Sequence, residues 1–87
     1  MNATIEGLIG KFLEPVFRSL PPEAALQISE LTADEGLQER VQYLSGQANE
    51  GKLTDEERAE YEALIEAGDI LATLQAMARR TLRDHPP

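Results

Sequence analysis

The chain has 87 residues, no cysteine and a formal charge of -8 from 16 acidic and 8 basic side chains. That length makes a single small domain over residues 1–87, and the missing cysteine excludes a disulfide framework or a thiolate metal site. The acidic balance argues against nucleic acid or an anionic membrane as partner, because phosphate binding runs on Lys and Arg.

A basic protein partner suits the charge better. No segment approaches the ~20 apolar residues of a membrane span. Residues 1–15 carry one lysine and no basic n-region, so no secretory signal and a cytoplasmic location are expected.

The first predicted helix covers residues 3–18. Ile5, Leu8, Ile9, Phe12, Leu13, Val16, Phe17 and Leu20 recur at alternating intervals of three and one. This is one wide helical face and fits no strand pattern. Pro15 removes one backbone hydrogen bond and predicts a kink rather than two helices. The face holds both phenylalanines and is expected to be buried. Pro21 and Pro22 end this helix and open a second one over 22–31, with Glu23 favourable in its first turn. Ala24, Ala25, Ile28 and Leu31 form its expected inner side.

Two similar phrases follow, L-T-A-D-E at Leu31–Glu35 and L-T-D-E-E at Leu53–Glu57. In each, Thr precedes Glu by three residues, the signature of a reciprocal cap at a helix start. Asp34 competes with Thr32 for the first cap. A third helix is predicted over 34–48, with Leu37, Val41, Leu44 and Ala48 as its stripe. Asn49 and Gly51 tolerate the left-handed backbone of a helix stop. The short connection predicts a C-terminal antiparallel hairpin.

The fourth helix is predicted over 55–83, with Leu64, Ala67, Leu71, Leu74, Ala78 and Leu82 in register. Twenty-nine helical residues span about 43 Å, against roughly 30 Å for the diameter of a compact domain of this size. The helix therefore either breaks at Gly68 or has its apolar end covered by a second chain. From Asp55 to Asp69 there are seven acids against Arg58, a net of six negative charges; from Ile70 to Asp84, three arginines face Asp84, a net of two positive. These opposed ends predict an antiparallel homodimer through Ile70, Leu71, Leu74, Met77, Ala78, Arg79, Arg80 and Arg83. In that dimer the arginines would lie near the partner's acids, and the apolar residues would supply the affinity. The same three arginines also complement the dipole of their own helix C-terminus. Asp84, His85, Pro86 and Pro87 are expected to form a frayed tail.

Catalytic and metal chemistry find little footing. Placing Gly51 at the turn and Glu57 at the close gives half of an EF-hand loop, but the first and third ligand positions fall on Gly46 and Ala48. A helix cap is the better reading. Glu56, Glu57, Glu60, Glu66 and Asp69 spell E-E-x-x-E and E-x-x-D. That pattern resembles the magnesium motif of all-α nucleotide pyrophosphohydrolases of the MazG type, whose two halves lie on facing helices. Here both halves fall on one helix, so the set would need further carboxylates such as Glu30, Glu35 or Glu39. Ser19, Ser29 and Ser45 lack a base, since the single histidine is His85. Tyr43 and Tyr61 read as packing residues with polar tips. No catalytic residue, cofactor or metal is expected.

From Ala48 to Glu62 the chain reads A-N-E-G-K-L-T-D-E-E-R-A-E-Y-E, and from Leu74 to Leu82 it reads L-Q-A-M-A-R-R-T-L. These segments resemble a group of small bacterial all-helical proteins with an A-N-E-G-x-L-T-x-E-E-x-x-E-Y-E segment and an L-Q-A-x-A-R-R-x-L ending. Genes of that group often lie beside one for an HNH-type nuclease. The resemblance implies an antitoxin-like or accessory partner of a nuclease. Gly68 departs from the pattern, where a helix former is expected. The sequence thus points to an all-α protein of four helices that acts by protein contact without catalysis. Its alternatives are a magnesium-dependent pyrophosphohydrolase-like enzyme and a purely self-associating structural module.

Overall fold

The computed structural model describes residues 4–84, and the expectations for Ala3 and for His85, Pro86 and Pro87 lie outside them. The regular elements are four α-helices: α1 (Ile5–Arg18), α2 (Pro22–Ser29), α3 (Glu35–Asn49) and α4 (Asp55–Asp84). No strand occurs among the described residues. The protein is all-α, as the three-and-four spacing of its apolar residues requires. Asp84, expected in the tail, is the last residue of α4.

Contacts divide the chain into two compact units: the part from Thr32 to Gly68, and the flanking parts, which end at Leu31 and resume at Asp69. α4 is a single run of 30 residues to which both units contribute. It contains Gly68 without interruption, and a Cβ at that glycine would meet nothing within 4 Å.

The unit made of α1, α2 and the later part of α4 is built around Phe17, Ala25 and Ala78. Leu13, Leu20, Ile28, Leu74, Met77 and Leu82 pack against these three. α1 begins at Thr4, whose hydroxyl accepts from the Gly7 amide at 3.0 Å. It continues through Pro15 as one helix, consistent with a proline that costs one bond without ending the helix. Close approach to α4 occurs at Gly10, where an added Cβ would lie 3.7 Å from the Met77 sulfur.

The wide apolar face of α1 is buried on one side only. Phe17 is buried and Ile9, Leu13 and Leu20 are half-buried, while Ile5, Leu8, Phe12 and Val16 are exposed. The expectation that the face would be buried therefore fails for Phe12, which is 80% exposed. One helix offers a neighbour only part of its circumference, and the apolar arc of α1 is wider than that part.

α2 starts with Pro22 in its first turn and stops at Ser29, two residues before the expected end. The Ser29 hydroxyl donates to the Leu26 carbonyl at 2.8 Å. The Gln75 amide on α4 donates to the carbonyls of Ile28, at 3.3 Å, and Leu31, at 2.7 Å. The Ile28 carbonyl also accepts from Leu31 N at 3.2 Å, so Gln75 fastens the turn after α2 to α4. Leu31 itself is 53% exposed and does not join the inner side. Thr81 is buried, and its hydroxyl donates toward Phe17 O at 3.2 Å and Met77 O at 3.1 Å.

The second unit holds α3, the connection after it and the start of α4. Leu44 is its centre and the largest fully buried side chain among the described residues. Asp34, and not Thr32, caps α3: its carboxylate accepts from Leu37 N at 2.8 Å. The carboxylate of Asp34 reaches the third residue of the helix directly, so the expected Thr32–Glu35 box does not form. Leu37 is 41% exposed and lies outside the packed stripe. The stop of α3 follows the expected chemistry. Gly51, at φ +69°, sends its amide to Ala48 O at 3.1 Å, and Lys52 N reaches Gln47 O at 2.8 Å. This pair of bonds is the Schellman closure, which requires a left-handed residue where glycine stands.

Candidate interaction surface

The start of α4 is fixed by a reciprocal pair. Glu57 N donates to Thr54 Oγ1 at 3.0 Å, and Thr54 N donates to Glu57 Oε1 at 3.0 Å. Two amides that a helix start leaves free are thereby satisfied. The Thr54 amide is the main cause that holds the Glu57 carboxyl below its ordinary range, with the Tyr43 hydroxyl next. One turn on, Arg40 from α3 grips Glu60 in a two-pronged pair, Nε to Oε2 at 3.0 Å and Nη2 to Oε1 at 2.7 Å. That grip lowers the Glu60 carboxyl and raises the guanidinium. The Arg40 guanidinium carbon also lies 5.2 Å from the centre of the Tyr43 ring, within cation–π range.

The seven acids of the run therefore divide by role. Glu57 and Glu60 serve the fold. Asp55, Glu56, Glu62, Glu66 and Asp69 are exposed, and none forms an ion pair with a described residue. Within the second unit, Asp55, Arg58, Glu62 and Glu66 stand at i, i+3, i+7 and i+11, one stripe of the helix surface some 16 Å long with three acids and one base. Arg58 is exposed and is also unpaired among the described residues.

The five carboxylates of the magnesium-like pattern do not act together. Glu57 is engaged by the cap and Glu60 by Arg40, and no group of three His, Cys, Asp or Glu side chains among the described residues is placed to hold a metal ion. Within the half EF-hand, Gly51 serves the stop of α3 and Glu57 the start of α4.

The residues assigned to a dimer contact on α4 fall into three sets. Ala78 is buried, and Leu74 and Met77 pack beside it against α1 and α2 of the same chain. Ile70 and Leu71 are half-buried. Arg79, Arg80 and Arg83 are exposed and form no ion pair with a described residue. Arg80 edges a cleft of about 230 Å³ shared with Glu14, Arg18 and Asp84. Two acids and two bases balance there, and Glu14 already holds Arg18 at 2.7 Å.

Sequence reasoning missed Gln75, a polar residue inside the apolar run of α4, and Thr81, which follows two arginines near the helix end. Their signal was position: each lies among residues that face the core, where a polar side chain needs a partner. It also missed the outward half of α1, which the width of the apolar arc announced. No helix among the described residues is long and apolar enough to cross a membrane. No family model, curated protein or solved structure matches this chain.

Proposed function

We propose that this chain is a non-catalytic helical interaction protein that docks a basic protein through the acidic start of α4. The partner that best suits this role is a basic nuclease, with the chain acting as its antitoxin-like or accessory companion. The observation that carries this reading is the division of labour in the acidic run. Two carboxylates hold the helix in place, and Asp55, Glu56, Glu62, Glu66 and Asp69 remain exposed with no ion pair to a described residue, against the one arginine of the run, Arg58. A set of like charges on one helix attracts an oppositely charged surface and steers its approach, an effect that salt screens.

Affinity capture from the native cell, read by mass spectrometry, tests the reading. The intact chain should enrich a basic protein that a Glu56→Lys/Glu62→Lys/Glu66→Lys variant does not retain. Capture of the same proteins by both forms would remove the acidic run from the interaction. Calorimetric titration with magnesium chloride tests the carboxylates separately. No saturable binding is expected, and a stoichiometric site would favour a hydrolase.

A further inference from the structure

Four of the exposed large apolar residues among the described ones stand together on the outward side of α1. Ile5, Leu8, Phe12 and Val16 are 54%, 44%, 80% and 52% exposed. They stand at i, i+3, i+7 and i+11, so they form one continuous stripe and are not scattered residues. No charged residue interrupts it. The adjoining side of the same arc, Leu13, Phe17 and Leu20, is already spent in the core with α2 and α4, and Ile9 beside it is half-buried. We propose that the Ile5–Leu8–Phe12–Val16 stripe pairs two copies of this chain, with the two α1 helices antiparallel about a two-fold axis.

Three observations select a second copy as the occupant. The first is charge. The chain carries -8 overall, yet α1 holds Glu6 and Glu14 against Lys11 and Arg18 and is neutral. Two copies of an acidic chain meet with least repulsion along their neutral element, whereas a basic partner is drawn to the acidic run of α4. Neutrality also makes an anionic lipid surface a poor occupant, since such helices are rich in Lys and Arg on the polar face.

The second observation is self-complementarity. A two-fold contact requires that residue i meet j while j meets i. Antiparallel pairing with i and j summing to about 21 sets Ile5 against the other copy's Val16, and Leu8 against its Phe12. Both ends of the stripe are then β-branched, and its middle holds leucine against phenylalanine.

The third is area. At about 200 Å² for a large apolar side chain, the exposed fractions amount to roughly 450 Å². A stable half-interface covers about 800 Å², of which about 57–65% is apolar. The stripe comes close to the lower end of that apolar share, about 460 Å², without any rearrangement of the core. The pairing does not rest on the basic-partner reading, and neither result decides the other.

Sedimentation equilibrium on the full chain, from about 1 to 100 μM, should show a reversible dimer with a dissociation constant in the micromolar range. Phe12→Glu should weaken it at least a hundredfold. Phe12 is too exposed for the change to disturb the core, and the helical circular dichroism should stay as it was. Ile65→Ser, at a half-exposed apolar residue outside α1, should leave the dimer intact. The chain has no cysteine, so single substitutions report orientation. A mixture of Ile5→Cys and Val16→Cys proteins should oxidise mainly to the mixed disulfide. A monomer at 100 μM overturns the proposal, and so does a dimer that survives Phe12→Glu. Like-with-like disulfides in preference to the mixed one overturn the antiparallel arrangement. A monomeric chain that co-sediments with phosphatidylglycerol vesicles through Phe12 would replace the second copy with a lipid surface.

Discussion

Replacing Thr54 with alanine removes the hydroxyl that accepts from Glu57 N and leaves the return bond, Thr54 N to Glu57 Oε1, in place. The cap is exposed, so water can reach the freed amide of Glu57 and the loss stays near the middle of the range for such substitutions, about 1 kcal/mol. Thr54→Ser keeps the acceptor and should cost a few tenths of that. The protein contains two tyrosines and no tryptophan, and both Tyr43 and Tyr61 lie between Thr32 and Gly68. Tyrosine fluorescence during urea unfolding therefore places the probe in the capped unit. With a slope of about 1 kcal/mol per molar urea for so small a unit, the alanine variant should unfold at about 1 M lower denaturant. Equal losses for alanine and serine would show that the hydroxyl does not cap α4.

Gly51→Ala should cost at least about 1 kcal/mol in the same assay, because the φ of +69° places a Cβ against the following carbonyl. A neutral result would mean that the connection after Asn49 relaxes without it. Thr81→Val keeps the shape of a buried side chain but deletes a donor to Phe17 O and Met77 O. It should destabilise by about 1 kcal/mol, seen as faster amide exchange around Phe17–Leu20, with Thr81→Ser close to the unmutated protein. The carboxyls of Glu57 and Glu60 titrate lower in the folded chain than in the unfolded one. Their stabilisation is therefore complete above the ordinary glutamate value of about 4.3 and is lost as pH falls through the folded values. Tyrosine-detected stability should hold steady from pH 7 to about 5 and fall below about 4; Glu60→Gln should flatten part of that fall.

What the sequence disclosed and what it hid separate along physical lines. Local chemistry was legible. Thr54 with Glu57 and Gly51 after Asn49 specify a helix start and a helix stop through bonds to their own neighbours, and the structure contains both. Asp34 and Thr32 offered two local solutions for one cap, and residue types alone could not rank them. The class of fold followed from spacing, because an apolar residue every three or four positions fits only a helix.

Which side of an apolar arc finds a neighbour is a question of assembly, and here the sequence was silent. Phe12 and Phe17 are alike in type and differ by five positions, yet one is exposed and the other is core. The same silence surrounds Leu74 and Met77. Their pattern shows that they are covered, and only the structure shows that α1 and α2 cover them. Glu57 and Glu60 looked equivalent to their acidic neighbours until Thr54 and Arg40 were placed beside them.

The exposed carboxylates of α4 are the proposed contact for a basic protein. Titrating the captured partner with the intact chain at rising salt measures that contact directly. The affinity should fall steadily as salt is added, and the Glu56→Lys/Glu62→Lys/Glu66→Lys chain should bind weakly at every salt concentration. An affinity indifferent to salt and to those three substitutions would contradict it.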